Sequence, residues 1–93
     1  MSIVIIGGHD RMVRQYKQIC KDYDCKVKVF TQMKGNLRGL IGQPDLCVLF
    51  TNTVSHKMVR CAVEEAKRSN TEIVRSHTSS QIALKEILKE KCS

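Results

Sequence analysis

Aromatic residues are scarce in this chain, with two tyrosines, two phenylalanines and no tryptophan among 93 residues. Single-stranded nucleic acids need a platform of flat side chains to stack on, and four rings do not supply one. The net charge of +7 therefore does not by itself favour a nucleic-acid partner. Basic residues occur in every proposed element, from Arg11 and Lys17 through Lys28, Lys57 and Arg75 to Lys85. Long apolar runs are missing too. The opening Met1-Ser2 has no basic segment, and the apolar stretch Ile3-Val4-Ile5-Ile6 ends at Gly7-Gly8, too short for a secretory signal or a membrane span. No membrane contact and a cytoplasmic location are expected. The cysteines are five, an odd number, with no C-x-x-C or zinc-finger spacing, which argues against a disulfide framework or structural zinc and for reduced thiols. No low-complexity stretch interrupts a composition that is 42% hydrophobic and 27% charged, as in a folded globular domain. A single α/β domain over residues 1–93 is expected.

What is present is a regular alternation of strands and helices. Ile3 to Ile6 is a β-branched run of the kind buried on both faces, and predicts β1. From Asp10 to Tyr23, Met12, Val13, Tyr16, Ile19, Cys20 and Tyr23 recur at helical spacing, with Asp10 as the expected cap. Cys25 to Phe30 alternates, turning Val27 and Val29 inward and Lys26 and Lys28 outward, as on an edge strand. Thr31 to Gly42 reads as a loop with one weak helix, and Gln43-Pro44-Asp45 as a turn. Leu46 to Phe50 is a second central strand. A helix capped by Asn52 or Thr53 follows, with Val54, Met58, Cys61, Ala62 and Ala66 inward. Glu72 to Arg75 is a short last strand, and Thr78-Ser79-Ser80-Gln81 has capping-box spacing before a helix carrying Ile82, Ala83, Leu84, Ile87 and Leu88. The order βαβαβαβα calls for right-handed crossovers and a four-stranded parallel sheet in the order 2-1-3-4, a Rossmann/flavodoxin-like three-layer domain.

In such sheets ligands collect beyond the carboxyl ends of the strands, where strand order reverses. The loops expected there are Gly7-Gly8-His9-Asp10-Arg11, Thr51-Asn52-Thr53-Val54-Ser55-His56-Lys57 and Arg75-Ser76-His77-Thr78. All three histidines of the chain, His9, His56 and His77, fall on that edge. Gly7 and Gly8 turn the chain tightly and could offer N–H groups to an anion. The G-x-G-x-x-G fingerprint is not matched, so a dinucleotide held in the usual manner is not expected. His56, in a helix's first turn, is expected to be neutral and free to accept a hydrogen bond or coordinate a metal. His9 and His56 are the candidate metal or haem-iron ligands, with His77 as a third donor for a metal ion. Arg11, Lys57, Arg60 and Arg75 are the nearest cations.

The segments Ile3 to Gly8, Pro44 to Leu49, Thr51 to His56 and the closing helix after Ser79-Ser80 resemble a small bacterial family known as domain of unknown function 2325, over nearly the whole chain. The resemblance implies a bacterial cytosolic Rossmann-like domain and no particular activity. By matching position it carries over Gly7 and Gly8 as the first loop, and Asn52, Ser55 and His56 as the second.

These readings converge on a non-enzymatic binding, sensor or carrier domain for an anionic guest. The guest would be either a phosphate-bearing small molecule or a carboxylate-bearing cofactor such as haem, whose propionates the arginines and lysines would meet. Without a C-x-x-C-H any haem would be held non-covalently. Gly7, Gly8, His9, Arg11, Asn52, Ser55, His56 and His77 are the expected ligand contacts. One alternative is a small enzyme using His9 or His56 as general base, although Ser55 beside His56 matches no nucleophile elbow. Another is a scaffold for RNA or an acidic protein. An open sheet edge and a small core also predict a homo-oligomer, most simply a dimer.

Overall fold

The computed structural model describes residues 1–92. The chain runs β1 (Ser2–Ile6), α1 (Val13–Asp22), β2 (Lys26–Phe30), α2 (Leu37–Ile41), β3 (Leu46–Phe50), α3 (His56–Ser69), β4 (Glu72–Ser76) and α4 (Gln81–Lys91). Single 3-10 turns, Asp10–Met12 and Thr51–Thr53, lead towards α1 and α3. The four strands form one sheet in the order β2-β1-β3-β4, and every pairing is parallel.

Successive side chains of a strand point to opposite faces, so the two central strands need cover on both. On one face Ile3, Ile5, Leu46, Val48 and Phe50 meet Tyr16, Ile19 and Cys20 of α1 and Leu84 and Leu88 of α4. On the other, Val4, Ile6, Cys47 and Leu49 meet Leu37 and Ile41 of α2 and Met58 and Ala62 of α3. β3 is buried at all five positions. Each large side chain taken fully out of water contributes about 1.5–3 kcal/mol, and the two apolar layers are what hold the helices to the sheet. β2 is the expected edge strand: Val27 and Val29 pack on the α1 face, while Lys26 and Lys28 are exposed. The Lys28 ammonium reaches the Leu40 carbonyl at 3.2 Å.

The helix starts differ in detail from the sequence expectation. Asp10 does not cap α1; it lies inside the 3-10 turn, and its carboxylate accepts hydrogen bonds from Thr31 Oγ1 and from Gln32 Nε2. Neither Asn52 nor Thr53 caps α3. Both are in the preceding 3-10 turn, and Ser55 accepts from the Met58 N–H at 3.3 Å. The last helix is capped by Ser80, which accepts from the Ala83 N–H at 3.1 Å, while the Thr78 N–H is bonded to Ser76 Oγ. Ile82 is 69% exposed: it stands two residues, roughly 200°, from the buried Leu84 around the helix.

Candidate functional site

Backbone geometry at the end of β1 decides the shape of the sheet's carboxyl edge. Gly7 and Gly8 have φ of 104° and 86°, a region that disfavours any residue with a Cβ. Packing adds a second demand. A Cβ on Gly7 would stand 2.7 Å from Val54 Cγ1 and 2.9 Å from the Phe50 carbonyl oxygen, and one on Gly8 would stand 2.6 Å from the Tyr16 ring. The Gly7 N–H donates to the Phe30 carbonyl at 2.8 Å, and the Gly8 N–H donates to Thr53 Oγ1 at 2.7 Å. Thr53 in turn donates to the Phe50 carbonyl at 3.2 Å. Both glycine amides are therefore spent inside the fold, and the expectation that they cradle an anion gives way to a structural role.

The same contacts join the loops that follow β1 and β3. Thr53 Oγ1 and Val54 Cγ1 lie close against Gly7 at the end of β1, so the loop after β3 packs on the turn that precedes His9. Two further bonds lace the rim. Tyr16, buried in the core, donates its hydroxyl to the Ser79 carbonyl at 2.6 Å, and Thr51 Oγ1 donates to the Ser76 carbonyl at 3.2 Å. The loops after β1, β3 and β4 are thus tied to one another or to the neighbouring helix.

Around this stiff base stand the residues singled out by sequence. His9 follows Gly8, His56 is the first residue of α3, and His77 follows β4 with its Nδ1 3.5 Å from Thr51 Oγ1. All three are exposed, as are Arg11 and Asn52; Ser55 is exposed and serves as the α3 cap, and Gly7 and Gly8 are buried. Among the described residues no group of three or more His, Cys, Asp or Glu side chains is placed to hold a metal ion, so the three histidines do not form a metal triad.

Two cations that the sequence reading did not assign to this edge, Arg14 and Lys34, join the expected Arg11, Lys57 and Arg60. Exposed Arg11 and Arg14 stand at the start of α1, Lys57 and Arg60 in the first turns of α3, and Lys34 in the loop after β2. Asp10 is the only carboxylate in these segments, and hydroxyl and amide donors from Thr31 and Gln32 already engage it. The salt bridges among the described residues are Arg38–Glu64, Arg68–Glu65 and Lys91–Glu72, and none involves a rim cation. Lys34 lies 6.0 Å from the Phe30 ring centre. From Asp10 and Arg11 an open groove of about 670 Å³ continues down the outside of α1 past Arg14, Lys17 and Lys21. The signal for it was in the sequence: these cations fall at helical spacing away from Tyr16, Ile19 and Cys20. A second groove, about 430 Å³, runs between α3 and β4 and is lined by Val63, Ala66, Ile73, Lys67 and Arg75 among others, which places Arg75 on the flank rather than the rim.

A family model described as "Uncharacterized protein conserved in bacteria (DUF2325)" matches residues 2–91. The chain belongs to this family. No curated protein matches it. Among solved structures, a de novo designed Rossmann fold protein is similar with a TM-score of 0.65 at 12% identity, over 99% of this chain and 96% of that one. A second such design gives 0.63 at 10% identity, over 95% and 93%. The lactose-specific IIB component domain of the phosphoenolpyruvate:carbohydrate phosphotransferase system from Streptococcus pneumoniae gives 0.60 at 17% identity, over 92% of this chain and 85% of that one. At these identities the likeness is one of fold, and it places this member of the family among Rossmann-type α/β domains. No helix among the described residues is long and apolar enough to cross a membrane.

Proposed function

We propose that this chain is a non-catalytic binding domain for a phosphate-bearing small molecule, held on the open carboxyl rim of the sheet. The observation that carries the reading is the rim's charge: Arg11, Arg14, Lys34, Lys57 and Arg60 without a salt-bridge partner among the described residues, beside one carboxylate already occupied. Three of these cations, Arg11, Arg14 and Lys57, sit in the first turn of a helix or the turn leading to it, where the positive end of the helix dipole repels them. A guest carrying several negative charges relieves both repulsions at once. His9 and His56 stand exposed on the same rim as further hydrogen-bonding groups. Haem is the alternative guest, with His9 or His56 as its candidate iron ligand. The enzymatic alternative gains nothing from Ser55, whose hydroxyl is accounted for as a helix cap. A cytoplasmic location and a homo-oligomer that covers an open sheet edge belong to the same reading.

Inorganic pyrophosphate, titrated into the full chain by calorimetry at low and at high salt, tests this. Binding should be present at low salt and weaken steeply as salt is added, since exposed charges are screened within about 10 Å at 0.1 M. Arg11→Ala with Arg14→Ala, and Lys57→Ala with Arg60→Ala, should each weaken it several-fold, whereas Lys85→Ala with Lys89→Ala on α4 should not. Equal losses for rim and α4 variants, or no binding at low salt, would refute the reading. A histidine-dependent visible spectrum on adding haem would favour the cofactor instead.

A further inference from the structure

At the opposite edge of the sheet from the cationic rim, two of the five cysteines stand together. Cys25 sits just before β2, and Cys92 ends α4 as its capping residue. Their sulfurs are 3.6 Å apart although the residues are 67 positions apart in sequence. Both thiols are half-buried, and the Met1 thioether lies 3.3 Å from Cys92 Sγ. The other three cysteines differ in setting. Cys20 and Cys47 are fully buried, and Cys61 is on α3, across the sheet from α4. From the sequence alone the five were expected to be reduced thiols, and nothing in their spacing brings Cys25 near Cys92; the crossovers that lay α4 beside α1 do so.

We propose that Cys25 and Cys92 are a site of reversible disulfide formation, oxidised by low-molecular-weight disulfides of the glutathione type. A disulfide needs its sulfurs about 2.05 Å apart, an approach that a terminal residue of α4 and a loop residue can make by side-chain rotation and a small backbone shift. The chemistry closes in two exchanges. The thiolate of one cysteine attacks a sulfur of the small disulfide, forms a mixed disulfide and expels one small thiolate. The second cysteine's thiolate then attacks the protein sulfur of that mixed bond and expels the other small thiolate. Two protein thiols and one small disulfide become one protein disulfide and two small thiols; the protein loses two electrons and two protons, and the small thiols carry both away. The pair fixes the end of α4, which covers the Ile3, Ile5, Leu46 and Val48 face, to the start of β2. Burial of Cys20 and Cys47, whose thiols are pushed up to about 12 and about 11, keeps them out of the exchange, because the thiolate is the nucleophile.

The full chain incubated with oxidised glutathione, then alkylated, digested and mass-mapped, should give a peptide linking Cys25 to Cys92 with a mass lower by two hydrogens. Its melting temperature should rise by about 5 °C or more and return on adding dithiothreitol. Cys25→Ser and Cys92→Ser should each remove the linked peptide and the thermal shift, and Cys61→Ser should leave both unchanged. Recovery of Cys25 and Cys92 as separate glutathione adducts, or of a link between two molecules through Cys61, would overturn the proposal. Mapping of the unsubstituted chain decides this even where a serine variant fails to fold.

Discussion

Thr53 holds the two central loops together, and replacing it with valine isolates that role because the two side chains have nearly the same shape. The hydroxyl accepts from the Gly8 N–H at 2.7 Å and donates to the Phe50 carbonyl at 3.2 Å. Gly8 is buried, and its N–H faces the Thr53 side chain, so valine leaves a buried donor without a partner. That costs about 1–3 kcal/mol, against about 1 kcal/mol gained or lost when a hydrogen bond is simply exchanged with water. A central value of about 2 kcal/mol, in a domain of this size, lowers the melting temperature by roughly 8–16 °C. Thr53→Ser keeps the oxygen and removes one methyl, so it should cost about 1 kcal/mol or less. Thermal and urea unfolding followed by circular dichroism measure the difference. If the valine variant melts within about 2 °C of the parent, or if serine is as damaging as valine, the hydrogen bond is not what joins the loops.

Three further outcomes follow from the same geometry. Tyr16→Phe removes the donor to the Ser79 carbonyl while keeping the ring against Phe50 at 5.4 Å, and should cost about 1–3 kcal/mol in urea unfolding. Gly8→Ala combines a φ of 86° with a contact at 2.6 Å to the Tyr16 ring, so it should destabilise more than Tyr16→Phe, by roughly 2–5 kcal/mol from strain and overpacking together. Stability should also fall at alkaline pH. Burial, aided by Cys25 and Cys92, raises Cys20 to about 12, and burial raises Cys47 to about 11; the unfolded thiols ionise near their ordinary value, about 8.5. The stabilisation is thus complete below that value and is lost as pH climbs towards 11–12. Urea midpoints measured from neutral pH to about pH 10 should decline, and the decline should be shallower when Cys20 and Cys47 are both alanine.

The strands were legible because burial on two faces and burial on one leave different patterns. Ile3 to Ile6 and Leu46 to Phe50 are unbroken apolar runs, Lys26 and Lys28 mark an edge, and from these the order β2-β1-β3-β4 follows. The caps were not legible to the residue, since each depended on a partner far along the chain. Asp10 is drawn away from α1 by Thr31 and Gln32, and Thr53 is drawn to Gly8, 45 residues distant, leaving Ser55 to cap α3. The position of His9, His56 and His77 at one edge was readable from their place after strands. The packing of Val54 was not, because it looks like any inward residue of a helix until its methyl is set against Gly7.

The charged rim constrains how the proposed guest would be held. A ligand swallowed between β1 and β3 would gain from exclusion of water, where each charge interaction is strong. A guest on the proposed rim would instead rest on exposed arginines and lysines, each worth less than a buried one and each screened by salt. Affinity then has to come from several cations acting together and from their being fixed in advance. The hydrogen bonds from Gly8 to Thr53 and from Tyr16 to Ser79 hold the loop that leads into α1 against the loop before α3, and α1 itself against the loop before α4. That fixes the spacing of Arg11 and Arg14 relative to Lys57 and Arg60 without touching any of them. Loss of Thr53's hydroxyl should therefore weaken pyrophosphate binding even at temperatures where the variant is fully folded, and a valine variant that binds as tightly as the parent would mean that the rim needs no such fixing.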